Sequence, residues 1–195
     1  MKQLRGTDLK RLHRQWRRSN EFRLAVILEN LQSPFNVGSI VRTASAMGAE
    51  KLYLTGDTPS VRSAGAQKAA MGTDRYLKAE HFETVAEAVA AARADGFRVV
   101  GLELADEAVP LFAAPLTPAV AFMVGHEDRG VTAEALALCD TVAFVPQLGR
   151  VGSLNVSSAT SVACYEARRQ GYALSGTPDG SDAGEFGDLD LDDGE

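Results

Sequence analysis

The sequence predicts an α/β domain built on a mostly parallel six-stranded sheet with helices on both faces. Six short apolar runs recur between residues 23 and 147, helical patterns with capping and stop residues separate them, and turn residues mark the boundaries. Strands that alternate with helices in this way pair in parallel. At 195 residues and 45% hydrophobic content, the chain is long enough to bury one core.

The strands are expected at RLAVIL (23–28), KLYLTG (51–56), RYLKAE (75–80), FRVVGLEL (97–104), AVAFMVG (119–125) and TVAFVPQ (141–147). After the first, NVGSIVRTASAMGAE places Val37, Ile40, Val41, Ala44 and Met47 three and four residues apart, the spacing of one helical face, with Asn36 able to cap its start and Gly48 to close its end. The alanine-rich HFETVAEAVAAARADGF stops at Gly96, and TAEALALCD begins on the capping type Thr132 with Glu134 in its first turn. GDTPSVRSAGAQKAAMGTD (56–74) reads as a long, Gly-rich connection. The last helix follows GRVGSLNVSSATSVACYEA (149–167), where Gly149 and Gly152 suit a turn and Ser153 or Asn155 suits a cap.

Charge is distributed unevenly. The net charge is −6, but residues 1–23 carry +6 and residues 174–195 carry −8. Residues 1–21 therefore form a basic arm suited to a polyanion, with Arg11, Arg14, Arg17 and Arg18 as candidate RNA contacts. The same arm also reads as an amphipathic helix packing Leu4, Leu9, Leu12 and Trp16 inward, and both readings can hold. The acidic segment 174–195 is too poor in apolar residues to order itself and is expected to be disordered, leaving 22–173 as the folded domain. Folding of that tail onto the arm would compete with RNA.

No stretch reaches the roughly 18 apolar residues that cross a bilayer, and the charged N-terminus lacks a secretory apolar region, so a cytoplasmic protein is expected with no membrane partner. Cys139 and Cys164 sit in apolar helical contexts and read as buried thiols. His13, His81 and His126 have no metal-ligand spacing, and no metal is expected.

Ligands of open parallel sheets collect at the carboxyl ends of strands. There this chain places ENLQSPFNVGSIVRTA, GHEDRGV and PQLGRVGSLNVSSA, all rich in Gly, Asn and charge. No G-x-G-x-x-G follows a strand, no G-x-x-x-x-G-K-[ST] occurs, and no G-x-S-x-G is present, which excludes the common dinucleotide, nucleoside triphosphate and serine hydrolase sites.

NVGSIVRTA (36–44), MVGHEDRGV (123–131) and VPQLGRVGSLNVSSATSVACYE (145–166) resemble, in order, the three motifs of the SpoU (TrmH) family of S-adenosylmethionine-dependent RNA ribose 2'-O-methyltransferases. The resemblance covers about residues 22–172, and its Ser-Leu-Asn-Val-Ser core is the most specific part. It implies a C-terminal trefoil knot, an exception to the rule that chains are unknotted, and a homodimer with the cofactor bent into the knotted loops near the interface. Small residues ahead of the last helix would then let backbone approach the cofactor.

By matching positions, the resemblance implies that Gly125, Val145, Leu154 and Leu148 line the cofactor pocket, with Leu102 and Glu103 at the ribose and adenine edge. It implies Arg42 as the catalytic residue, which either holds a substrate phosphate beside the nascent oxyanion or takes the proton. Asn36 would orient the arginine helix, Glu127 would anchor the loop or the partner subunit, and Ser153 and Asn155 would fix the cofactor loop and the substrate ribose. Arg62 and Lys68 are further candidate RNA contacts.

The second motif departs from the family pattern at His126 and Asp128, and Gln147 stands where methionine is frequent. With the other motif residues retained, an active enzyme is expected, acting on tRNA in preference to rRNA. The alternative is an RNA-binding assembly factor that keeps the fold without turnover.

Overall fold

The computed structural model describes residues 3–18 and 21–175, so the acidic segment from residue 176 onward lies outside them. The order is α1 (Gly6–Arg18), β1 (Arg23–Glu29), α2 (Pro34–Ala46), β2 (Lys51–Thr55), α3 (Ala64–Ala70), β3 (Lys78–Phe82), α4 (Val85–Ala94), β4 (Arg98–Leu102), β5 (Val109–Pro110), β6 (Ala119–Val124), α5 (Ala133–Ala137), β7 (Thr141–Phe144) and α6 (Val156–Ser175). Among the described residues no helix is long and apolar enough to cross a membrane.

The sheet has seven strands rather than the six expected, in the order β3-β2-β1-β6-β4-β7-β5, and every pairing is parallel. The additional strand, β5, is two residues long, too short for any apolar period to mark it. β3 lies at 78–82 instead of 75–80, because Thr73–Tyr76 forms a 3-10 turn closed by Leu77 N–H on the Asp74 carbonyl at 3.3 Å.

β1 is buried from Leu24 to Glu29, and its alternation feeds two cores. Leu24, Val26 and Leu28 face α2, α3 and α6 through Ile40, Val41, Ala66 and Ala163. Ala25 and Ile27 face α4 and α5 through Ala88, Val89 and Ala135. Helices therefore cover both sheet faces, and each fully buried Leu or Ile contributes about 1.5–3 kcal/mol. Cys139 and Cys164 are free thiols, and burial pushes them up to about 11 and about 12.

α2 starts differently from expectation. Ser33, not Asn36, is the cap: its Oγ accepts the Asn36 N–H at 3.3 Å, and Pro34 occupies the first helical position, where its missing donor costs nothing. Asn36 is thus inside the first turn with its amide released for other use. Gly48 ends the helix at φ +68, as a left-handed closing residue should. Thr84 and Glu87 form a capping box on α4, and Thr132 caps α5 through the Ala135 N–H at 3.2 Å.

The connection 56–74 contains α3, a helix the glycines had masked. α3 lies so close to α2 that a Cβ on Gly38 would fall 2.1 Å from the Ala66 carbonyl oxygen. α6 crosses back onto α2, where Thr43 and Ser161 hydroxyls meet at 3.0 Å. Its buried Arg168 donates to the carbonyls of Met47, Gly48 and Phe22, tying the C-terminal helix to the end of α2 and the entry of β1. At the amino ends of the strands, Asp95 accepts Tyr53 Oη at 2.6 Å and Lys51 Nζ at 3.0 Å, which leaves the carboxyl ends for the motif loops.

Candidate active site

The three glycine-containing loops converge at the carboxyl ends of β1, β6 and β7. Glu127, after β6, accepts the Ser33 N–H at 3.0 Å and the Asn36 Nδ2 at 2.9 Å on one oxygen and the Gln32 N–H at 2.9 Å on the other. Its carboxylate sits at the positive end of α2. Burial opposes its charge, but these donors outweigh burial and hold the carboxyl below its ordinary value.

That carboxylate fixes the orientation of everything downstream. Because it only accepts, Asn36 must present its NH2, which leaves Asn36 Oδ1 to accept Asn155 Nδ2 at 3.1 Å. Asn155 Oδ1 then faces α6 and caps it, accepting the Ser157 N–H at 2.9 Å and the Ser158 N–H at 3.4 Å. A single relay therefore connects the second loop, the first helix and the last helix. Asn155 is the cap of α6, and Ser153 is left exposed at the cleft.

Beside the relay opens a cavity of about 340 Å3. Its wall includes Leu102, Glu103, Gly125, Val145, Ser153 and Leu154 from the residues singled out in the sequence, and Glu127 at the edge of the relay. Asn36 and Asn155 are not part of that wall. Leu148 is outside the lining and fully exposed. Glu103 does not present a free carboxylate: its oxygens accept the Val131 N–H at 2.8 Å and the Leu104 N–H at 2.9 Å.

Glycine is required at two positions. A Cβ on Gly125 would lie 2.3 Å from the Gly130 carbonyl oxygen, since the loop crosses itself there, and Gly130 itself has φ +70 with Glu103 where a side chain would go. Buried Glu29, which the sequence did not single out, accepts the Thr132 hydroxyl at 2.6 Å and N–H at 3.1 Å. Two carboxylates thereby hold the loop 125–132 in shape. The only signal for either role is an acidic residue at a strand's carboxyl end.

The cavity wall also holds His126, which the sequence marked only as a departure in the second motif, and Gly130 and Val156, to which it gave no role. Arg42 lies outside that wall, exposed on α2, with Nη1 2.9 Å from Met71 Sδ. Met71 adopts a left-handed φ of 52, which turns it toward the arginine at the end of α3. Arg62 and Lys68 are exposed on and before α3. In α1, Arg11, Arg14, Arg17 and Arg18 are exposed, and Trp16 meets Tyr172 of α6 edge to face at 5.0 Å.

The model of the SpoU rRNA Methylase family matches residues 23–165. A tRNA (guanosine(18)-2'-O)-methyltransferase of Escherichia coli is 35% identical over 147 residues, 75% of this chain and 63% of that protein. The 23S rRNA (guanosine-2'-O-)-methyltransferase RlmB of Acinetobacter baylyi is 33% identical over 153 residues, 78% of this chain and 62% of that protein. The crystal structure of the SpoU methyltransferase AviRb from Streptomyces viridochromogenes in complex with AdoMet superposes with a TM-score of 0.71 at 30% identity, over 81% of this chain and 60% of that one. The chain thus spans about three-fifths of the length of these relatives. With a matching family model across both cores and all three loops, the chain belongs to the SpoU rRNA methylase family.

Proposed function

We propose that the chain transfers a methyl group from S-adenosylmethionine to a ribose 2'-hydroxyl of structured RNA, with tRNA favoured over rRNA. The observation that carries this reading is the relay Glu127–Asn36–Asn155, which locks three motif loops around one cavity in the fold of a relative solved with AdoMet.

The cavity fits such a cofactor. Its volume is within the range of small-molecule sites, and Leu102, Val145 and Leu154 supply apolar walls for an adenine. The bound sulfonium would supply an electrophilic methyl group. The protein's task is then to orient the ribose and to manage the proton lost from its 2'-oxygen.

Arg42 is suited to part of that task. A guanidinium is a planar, charged donor suited to phosphate, so Arg42 acts by gripping a phosphate and placing positive charge beside the forming oxyanion. Ser153, exposed in the cavity wall, would contact the ribose, a role its exposure supports.

A homodimer belongs to the same proposal. Phe35 on α2 and Val162 and Tyr165 on α6 are large exposed hydrophobics on two helices that pack together. Arg42 is two turns from Phe35 on the same face of α2, so a second copy covering that face brings the arginine into a protected interface. The trefoil knot is proposed for the segment from β6 onward, supported by the insertion of β7 between β4 and β5 and the return of α6 onto α2.

The test is incubation with radiolabelled S-adenosylmethionine and separate tRNA and rRNA pools, followed by mapping of ribose methylation. Label in tRNA supports the full reading, and label in rRNA alone corrects the substrate. RNA binding without label identifies an assembly factor instead. Sedimentation equilibrium of the same sample tests the dimer.

A further inference from the structure

The second motif loop contains a group that its own fold leaves unsatisfied. His126 is 9% exposed and lies in the cavity wall. Its Nδ1 is 3.0 Å from the Asp128 backbone nitrogen. A backbone N–H can only donate, so Nδ1 holds a lone pair, and the proton of the neutral ring sits on Nε2. Nε2 is buried and has no hydrogen-bond partner among the described residues.

Buried donors are rarely left unmet in native folds, and a cavity wall is where a ligand supplies the missing acceptor. Closing the turn does not explain the imidazole. An Asn or Asp would accept the Asp128 N–H equally well with less bulk, and the ring's additional property is a second polar atom on its far side.

Resting on the reading that the cavity binds a methyl donor, we infer that His126 is a ligand-binding residue whose Nε2–H donates to an acceptor atom of the bound S-adenosyl compound. His126 thus performs two jobs with one ring. Nδ1 shapes the loop from inside, and Nε2 reports occupancy of the cavity.

Two substitutions separate these jobs. H126N keeps an oxygen near the Nδ1 position and closes the turn but drops the distal donor, whereas H126Q carries an NH2 near the Nε2 position. Full-length wild type and both variants are titrated calorimetrically with S-adenosylmethionine, S-adenosylhomocysteine and methylthioadenosine, with thermal melting to confirm folding. Long-range 15N spectra of the wild-type histidines follow the Nε2–H signal on addition of S-adenosylhomocysteine, with His13 and His81 as references.

H126N is expected to weaken S-adenosylmethionine binding roughly 5- to 50-fold, H126Q to recover most of it, and the wild-type Nε2 proton to shift and become protected from exchange. Equal losses for methylthioadenosine place the acceptor on the adenosine part, and an unchanged methylthioadenosine affinity places it on the amino-acid part. H126N binding as tightly as wild type, with an unmoved Nε2–H signal, overturns the assignment and makes the partner a buried water. A wild type that binds none of the three compounds overturns the methyl-donor reading as well.

Discussion

Glu127 concentrates the electrostatics of the site in one side chain. It answers two backbone N–H groups and one amide, and replacing it with Gln leaves at least one of those donors unmet at a cost of roughly 1–3 kcal/mol. Its carboxyl is held below its ordinary value, so the stability it adds is present above the unfolded-state pKa of about 4.3 and is lost as pH falls through the lower folded-state value. Chemical denaturation of wild type and E127Q should therefore show a constant gap near neutrality that closes in acid below about pH 4. A gap independent of pH would remove the charge from the account. Arg42 makes the complementary case, since among the described residues its one polar contact is with a thioether and it bears no part of the core. R42A should fold as wild type yet lower turnover by roughly 10² to 10⁴ in single-turnover assays, and a near-normal rate would remove it from the mechanism. The sequence singles out both residues by their motif positions alone. It does not single out the Ser33 cap, because Ser, Pro and Asn within four residues all suit a helix start and only the competing demand of Glu127 decides among them.

At the scale of elements, the site is held by close approaches of helices rather than by the site residues themselves. Gly38 is the clearest instance. An Ala in an exposed helix interior stabilises by about 1 kcal/mol over Gly, but here its Cβ would meet the Ala66 carbonyl at 2.1 Å and the Ala69 Cβ at 2.8 Å. The steric cost wins, because backbone atoms of α3 cannot rotate away, and G38A should lose about 1–3 kcal/mol net. Since α3 ends at Met71 against Arg42, the same variant should lower turnover in step with its melting temperature. A stabilised or fully active G38A would show that α3 does not set the arginine's position. This helix was hidden from the sequence: AGAQKAA has no apolar stripe wider than alanine and is framed by glycines. By contrast, α2 was legible from its apolar stripe and Gly48, α4 from its alanines and Gly96, and α5 from its Thr132 cap. β1 and β6 were legible too, as continuous apolar runs buried on both faces.

At the scale of the whole molecule, the strand order places β6 and β4 between β1 and β7, so residues far apart in sequence share one edge of the sheet. Local periodicity carries no such information, and only the ordered motifs pointed to a common site. The ends of the chain pose a related problem of proximity. Trp16 against Tyr172 fastens the basic α1 to the last turns of α6, and α6 runs to Ser175, after which the sequence carries eight acidic side chains in residues 176–195. Twenty residues extended reach on the order of 60 Å, enough to pass over the whole helix. If the arm binds RNA as proposed, opposite charges tethered at this range would compete with the RNA backbone for Arg11, Arg14, Arg17 and Arg18. Removing residues 176–195 should therefore tighten RNA binding at low salt. The gain should shrink as ionic strength rises toward 0.15 M, where the screening length falls to about 8 Å. Filter-binding isotherms for the full-length and shortened proteins across a salt series measure both quantities. Equal affinities at the lowest salt would mean that the tail does not engage the arm, and a gain that persists at high salt would mean that it blocks RNA by bulk instead of charge.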